Sequence, residues 1–155
     1  MKIRPYCIGE EAALWSLLFN TVRQVNIKDY SEAQVEAWAP GDFDMDQWIV
    51  RLQQTQPWVA EQEGQLLGFA ELDETGRIGC FYCHHASMGE GIGSALLQVI
   101  EAEALRLGLT QLSVEASITA RGFFERKGFT IGSAQRVTRR GEVFLNYLMF
   151  KNIVN

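Results

Sequence analysis

The hydrophobic positions of this chain recur with two periods, and each switch between them marks a boundary between elements. Residues 2–7 read as a short first strand. Gly9 separates it from EEAALWSLLFNTVRQV, where Leu14, Leu17, Leu18, Val22 and Val25 share one helical face. Ser31-Glu32-Ala33-Gln34 has the form of a capping box, so a second helix begins there and stops before Pro40. A third follows in DMDQWIVRLQQ, with Met45, Trp48, Ile49 and Leu52 on one stripe and Pro57 beyond its end. The spacing then becomes that of strands. WVAEQ and LLGFAEL flank the turn Glu63-Gly64 as an antiparallel hairpin, and RIGCFYCH follows Thr75-Gly76 as the next strand.

Helical spacing returns in IGSALLQVIEAEALRLG, which places Ile92, Leu96, Val99, Ile100 and Leu107 on one face with Gly108 as the C-terminal cap. QLSVEA is a strand, ITARGFFERKG a short helix ended by Gly128, and two closing strands meet at Arg140-Gly141. The predicted order, βααα-βββ-α-β-α-ββ, is that of an α/β domain with a mixed sheet. No repeat, linker or low-complexity tract interrupts it, so residues 1–155 are read as a single domain.

Charge narrows the range of partners. A formal charge of -5 argues against nucleic acid and against an anionic membrane surface, neither of which attracts an acidic protein. Basic residues gather only locally, at Arg136, Arg139 and Arg140 and at Arg121, Arg126 and Lys127. MKIRPYCIGEE has no apolar signal core and no later run is long enough to span a bilayer, so a cytoplasmic protein is expected. Cys7, Cys80 and Cys83 then read as reduced thiols.

The stretch CFYCHHASMGEGIGSALL carries two motifs that point in different directions. Cys80-Phe81-Tyr82-Cys83-His84 matches the C-x-x-C-H of haem attachment or half of a metal site. Strand alternation sends Cys80 and Cys83 to opposite faces about 10 Å apart, too far for a disulfide or a shared ion. No second cysteine pair exists to complete a zinc site, and no metal is expected. In the other half, Gly89-Glu90-Gly91-Ile92-Gly93 opens a helix whose first N–H groups lack intrahelical partners and carry the positive end of its dipole. Glycines there admit positive φ and let phosphate oxygens reach the amides. The loop lacks the Gly-Lys-Ser/Thr ending of a Walker loop, and a dinucleotide fingerprint would want its third glycine at Ser94. On these residues alone, a tight turn without a ligand stays open as the alternative.

FYCHHASMGEGIGSALLQVIEAEA resembles the acyl-CoA pyrophosphate-binding motif of the GNAT superfamily of N-acyltransferases. Further along, SITARGFFERKGF resembles the second motif of that family, and YSEAQVEAWAP and GFAEL add a likeness to a small bacterial subgroup. The predicted element order agrees with that fold, a mixed, mostly antiparallel sheet of about seven strands with splayed central strands and flanking helices. The resemblance implies an N-acetyltransferase that moves an acetyl group from acetyl-CoA to a small-molecule or peptide amine. It implies that backbone groups of Phe81, Tyr82 and Cys83 hold the acetyl and pantetheine part of the cofactor. Met88, Gly89, Glu90, Gly91, Ile92, Gly93 and Ser94 would cradle the pyrophosphate, and Ser117, Ala120 and Phe124 would lie along the pantetheine arm. Pantetheine amides can add to a sheet like an extra strand where neighbouring strands splay, here between RIGCFYCH and QLSVEA.

Three positions depart from the family pattern. Met88 stands where Gln or Arg is common, Glu90 where the residue is commonly basic or neutral, and Phe124 where many relatives have the tyrosine that protonates the departing thiolate. A thiolate of pKa ~8.5 leaves fairly well, so an acid helps only modestly. Tyr147, in VFLNYLMF, is the candidate acid, against the plainer reading of a sheet aromatic. Glu71, the acidic residue of the apolar GFAEL strand, is the candidate base or water relay; if it faces the site, desolvation is expected to raise its pKa. The plainer reading makes it a solvent-facing strand residue. His84 ranks lower, at the position of a structural histidine. Tyr30 and Trp38 are expected to line an acceptor pocket and to stack on an amine cation together with Glu71, or simply to cover the sheet. Direct transfer in a ternary complex is expected, because Cys83 presents its backbone and no histidine-based triad is evident. The alternative, motivated by Met88, Glu90 and Phe124, is an acyl-CoA-binding regulatory or interaction domain with little catalysis. Closing strands of such folds often pair between subunits, which leaves room for a homodimer.

Overall fold

In the computed structural model, which describes residues 1–154, the chain begins with β1 (Lys2–Pro5), α1 (Glu11–Gln24), α2 (Glu32–Trp38) and α3 (Met45–Thr55). Then come β2 (Trp58–Gln62), β3 (Gln65–Leu72), β4 (Arg77–Cys83) and α4 (Ile92–Arg106). The chain closes with β5 (Gln111–Ser117), α5 (Ile118–Arg126), β6 (Thr130–Arg139) and β7 (Glu142–Asn152). This is the predicted order, with short 3-10 turns added at Asn26–Lys28 and His85–Ser87.

Local chemistry sets the boundaries. The Ser31 hydroxyl accepts the Gln34 N–H at 3.1 Å and Gln34 Oε1 accepts the Ser31 N–H at 2.8 Å, completing the capping box of α2. Asp44 caps α3 by accepting the Asp46 N–H at 3.0 Å, and the chain leaves that helix ahead of Pro57. The far end of α4 differs from expectation. Its buried stripe is Ile92, Leu96, Leu97, Ile100 and Ala104, while Leu107 is 46% exposed. The helix closes at Arg106 and Gly108 takes φ 78°, so Leu107 leaves the helical register before it can reach the sheet.

The seven strands form one open sheet in the order β1-β2-β3-β4-β5-β7-β6, antiparallel throughout except between β4 and β5. α1, α2 and α3 bury Leu14, Leu18, Val22, Val35 and Trp48 against Val59 and Phe69 on one face. α4 and α5 bury Ile92, Leu96, Ile100 and Phe124 against Ile78, Val114 and Met149 on the other. Among the described residues no helix is long and apolar enough to cross a membrane.

The parallel pair positions the site. β4 and β5 are in register only at Arg77↔Ser113 and Ile78↔Val114. Beyond them β4 stays on β3 as far as Gly68↔Cys83, and β5 stays on β7 as far as Ser117↔Asn146. The two strands therefore part into a V, and the backbone of 79–83 and of 115–117 lacks a sheet partner on its inner side.

Candidate active site

Two cavities open where β4 and β5 part, and Trp38, Gly79, Tyr82, Glu115 and Ser117 line both, so they meet in the V. The first, of about 560 Å³, lies along the glycine loop and α5. Phe81, Tyr82 and Cys83 line it from β4, and Ser117, Ala120 and Phe124 line it from the start of α5. Met88, Gly89, Gly91, Ile92, Gly93 and Ser94 line it from the loop and the first turn of α4. Glu90 is the one predicted cofactor residue absent from this wall; it is exposed, turned away into solvent.

The glycines of the loop serve different ends. Gly89 (φ 82°) and Gly91 (φ 85°) are left-handed, and a Cβ on either would stand in open space, so conformation demands glycine there. At Gly93 a Cβ would come within 3.0 Å of the Phe123 ring, so close packing of α4 on α5 demands it. No side chain caps α4, and its first N–H groups open toward the cavity. Arg126 and Lys127 add two cations to the same wall. Thr21 and Asn26, which the sequence pattern did not single out, close it from the α1 side. The Thr21 hydroxyl donates to the Cys83 carbonyl at 2.8 Å and pins the end of β4. Burial pushes the Cys83 thiol up to about 11, so it stays protonated near neutral pH. Cys80 packs on the opposite face of the sheet, among the α1–α3 core, as strand alternation requires.

The second cavity, of about 660 Å³, lies on the α1–α3 face. Tyr30 and Trp38 line it, with Trp15, Phe43 and Phe144. The Trp38 indole N–H donates to the Tyr82 hydroxyl at 2.9 Å. Tyr30 is a strut as well as a wall: its hydroxyl accepts the Ile118 N–H at 2.8 Å and donates to the Leu145 carbonyl at 2.9 Å, tying α5 to β7. His84 is engaged locally, its Nδ1 accepting the Ala86 N–H at 3.0 Å and its ring stacked 4.5 Å from that of His85.

The expected upward shift at Glu71 is reversed. Glu71 is 3% exposed, and burial alone pushes its carboxyl up. Arg51 donates to it at 2.6 and 3.1 Å, the Thr55 hydroxyl at 2.6 Å and the Cys80 N–H at 2.7 Å. Together these outweigh desolvation and hold the carboxyl below its ordinary value, as a saturated anion. Glu71 is thus not a free partner for an amine cation. A Cβ on Gly79 would lie 2.6 Å from Glu71 Oε1, so the glycine makes room for the carboxylate. Tyr147 lines neither cavity. Along β7 Phe144 and Asn146 face the second cavity, and alternation turns Tyr147 to the α5 side, where the Arg121 guanidinium covers its ring at 4.6 Å.

The second cavity gathers polar groups that the sequence pattern did not single out. Glu115 pairs with Arg77 at 3.2 Å, and Arg139, Arg140 and Asn146 complete the wall. One signal for Glu115 was present: Leu112, Val114 and Ala116 are buried on one face of β5, so Glu115 must point to the other.

Comparison with known proteins agrees with this geometry. The model of the acetyltransferase (GNAT) domain family matches residues 26–149. Over 150 residues the chain is 35% identical to the uncharacterized N-acetyltransferase YafP of Escherichia coli (strain K12), covering 96% of this chain and 94% of that protein. The solved structure of a GCN5-related N-acetyltransferase from Rhodopseudomonas palustris has a TM-score of 0.94 at 30% identity, covering 97% of this chain and 94% of that one. The PaiA N-acetyltransferase of Thermoplasma acidophilum, solved in complex with coenzyme A, shares the fold with a TM-score of 0.77 at 20% identity, covering 97% and 98%. The family match spans the glycine loop, the parted strands and most of the walls of both cavities, and the chain therefore belongs to the GNAT acetyltransferases.

Proposed function

We propose that the protein transfers the acetyl group of acetyl-CoA directly to a primary amine, with both substrates bound at once. The observation that carries this reading is the meeting of two cavities in the V between β4 and β5: one wall suits a phosphorylated, strand-like ligand, and the other is an aromatic chamber. Inner backbone groups of Phe81, Tyr82 and Cys83 pair with pantetheine, beside Ser117, Ala120 and Phe124. Loop amides from Met88 to Ser94 take the pyrophosphate, aided by Arg126 and Lys127. Glu90, turned outward, costs this site little because solvent screens it.

Acetyl-CoA supplies the thioester carbonyl that the amine attacks. Glu115, which reaches both cavities, accepts the proton of the amine, directly or through one water. Tyr82 takes the place of the acid: its hydroxyl accepts from Trp38 and its own proton has no acceptor among the described residues. Burial raises the pKa of that phenol, so it keeps its proton at neutral pH and offers the departing thiolate a hydrogen bond. Tyr147 and Glu71 keep structural parts, under Arg121 and on Arg51. The protonated Cys83 thiol supports direct transfer over an acyl-enzyme. The reaction belongs to a reducing compartment that contains acetyl-CoA, the cytoplasm.

A second reading, a CoA-binding domain with little catalysis, is favoured by Phe124, which is 1% exposed and has no proton to give. Acetyl-CoA is expected to raise the melting temperature; saturation at 100 times Kd stabilises by about 2.7 kcal/mol. No shift at millimolar acetyl-CoA would overturn both readings. Release of CoA thiol on addition of primary amines separates them, since the binding domain would release none above the background.

A further inference from the structure

The charge on the wall of the second cavity is predominantly positive. Arg51, Arg77, Arg139 and Arg140 line it against a single carboxylate, Glu115. Arg51 is neutralised by Glu71 from behind at 2.6 Å, and Arg77 by Glu115 at 3.2 Å. That leaves two guanidiniums over. The Arg139 side chain makes no hydrogen bond or ion pair with the described residues, although Glu142 is its direct cross-strand neighbour on β7. Arg140 donates to the Ala37 carbonyl at 2.6 Å and lies 5.7 Å from the Phe43 ring, with no carboxylate beside it. In a chain of net charge -5 such a surplus is local and runs against the rest of the molecule.

The opposite end of the cavity is built for a donor. Asn146 Oδ1 is buried without a hydrogen-bond partner among the described residues, and Asn146 sits opposite Ser117, which lines both cavities. From Gln135, which pairs with Asn146, β6 runs outward through Val137 to Arg139 on one face. Four residues of strand put the two ends about 13 Å apart at the backbone, and the Arg139 side chain spans part of that. Between them aromatic rings line the chamber, with Trp15 and Phe43 stacked at 4.4 Å and Trp38 edge-on to Phe144 at 6.0 Å.

We propose that the acceptor is an amphoteric one: a primary amine on a flat apolar body whose far end carries an oxyanion, a carboxylate or phosphonate, held by Arg139 and Arg140. A guanidinium fork binds such a group in bidentate fashion, which an ammonium cannot do. The same surplus charge disfavours polycationic acceptors. This inference rests on the amine-acetylation reading above and deepens it.

The test uses one molecular body at three charges: 4-(aminomethyl)benzoate, its methyl ester, and the diamine 1,4-bis(aminomethyl)benzene. With CoA-saturated protein, quenching of the cavity tryptophans Trp15, Trp38 and Trp48 measures binding, and CoA-thiol release from acetyl-CoA measures turnover. The carboxylate is expected to bind at least tenfold more tightly than either other compound, with the advantage shrinking at high salt. The double variant Arg139→Gln/Arg140→Gln is expected to abolish that preference while leaving the ester unchanged. Single variants at these exposed positions guard against a folding defect. Equal or reversed preference, absence of carboxylate binding, or an equal loss for all three compounds in the double variant would overturn the inference. Carboxylate binding without thiol release would sustain it and remove the transfer reading; turnover that favours the diamine would do the reverse.

Discussion

Tyr82 serves both cavities with one phenol. Its oxygen accepts the Trp38 N–H at 2.9 Å, its ring stacks 5.8 Å from Phe69, and burial keeps its proton on. Thiolate departure needs only modest help, so Tyr82→Phe is expected to lower kcat roughly tenfold, below the usual range of general-acid effects, while the melting shift by acetyl-CoA persists. Tyr147→Phe is expected to change kcat less than about twofold, because that ring lies under Arg121 away from the meeting point of the cavities. Steady-state thiol release measures both. The opposite ranking would return the acid to Tyr147.

On the scale of elements, the loop before α4 and the strand before it do separable work. Gly91 holds φ 85° with open space where a Cβ would go, so Gly91→Ala meets conformational strain of about 1 kcal/mol without a clash. The loop then relaxes toward negative φ and re-aims its amides. Affinity for CoA is expected to fall about tenfold in a calorimetric titration, with acceptor preference retained. Gly93→Ala is the contrast: its Cβ meets the Phe123 ring at 3.0 Å, so the expected effect is a lower melting temperature from pushing α4 off α5. Equal effects of the two variants on CoA affinity and stability would show that the loop glycines are interchangeable.

Over the whole molecule, the convergence of Arg51, Thr55 and the Cys80 N–H on the buried Glu71 carboxylate fastens α3 to the edge of the V. Glu71 is held ionised, with a folded pKa below its unfolded value of about 4.3. Its contribution to stability is therefore present above that pH and is lost as pH falls through the folded pKa. Glu71→Gln is expected to cost about 2 kcal/mol at pH 7, kept modest because Arg51 is 49% exposed and its charge is screened. In urea unfolding the gap between variant and parent should narrow from about pH 5 downward. A gap that widens in acid would contradict a depressed carboxyl.

The sequence by itself determined the element order, the capping box at Ser31, the glycine loop and the wall it forms, because these depend on neighbours in the chain: period, φ and capping chemistry are local. It also set which faces Cys80 and Cys83 take, since alternation is local too. Where α4 stops was less legible, and Leu107 shows that an apolar residue at the right angle is useless once the helix has closed. Only the tertiary structure decided the chemistry of the second cavity. Glu71 looks like a base until Arg51, 20 positions away, is seen to bind it; Tyr147 looks like an acid until β7 is placed beside β5 and the ring turns to the α5 side. Charge pairing and cavity walls are made between residues distant in sequence, and no period along the chain encodes the sign of the field inside them.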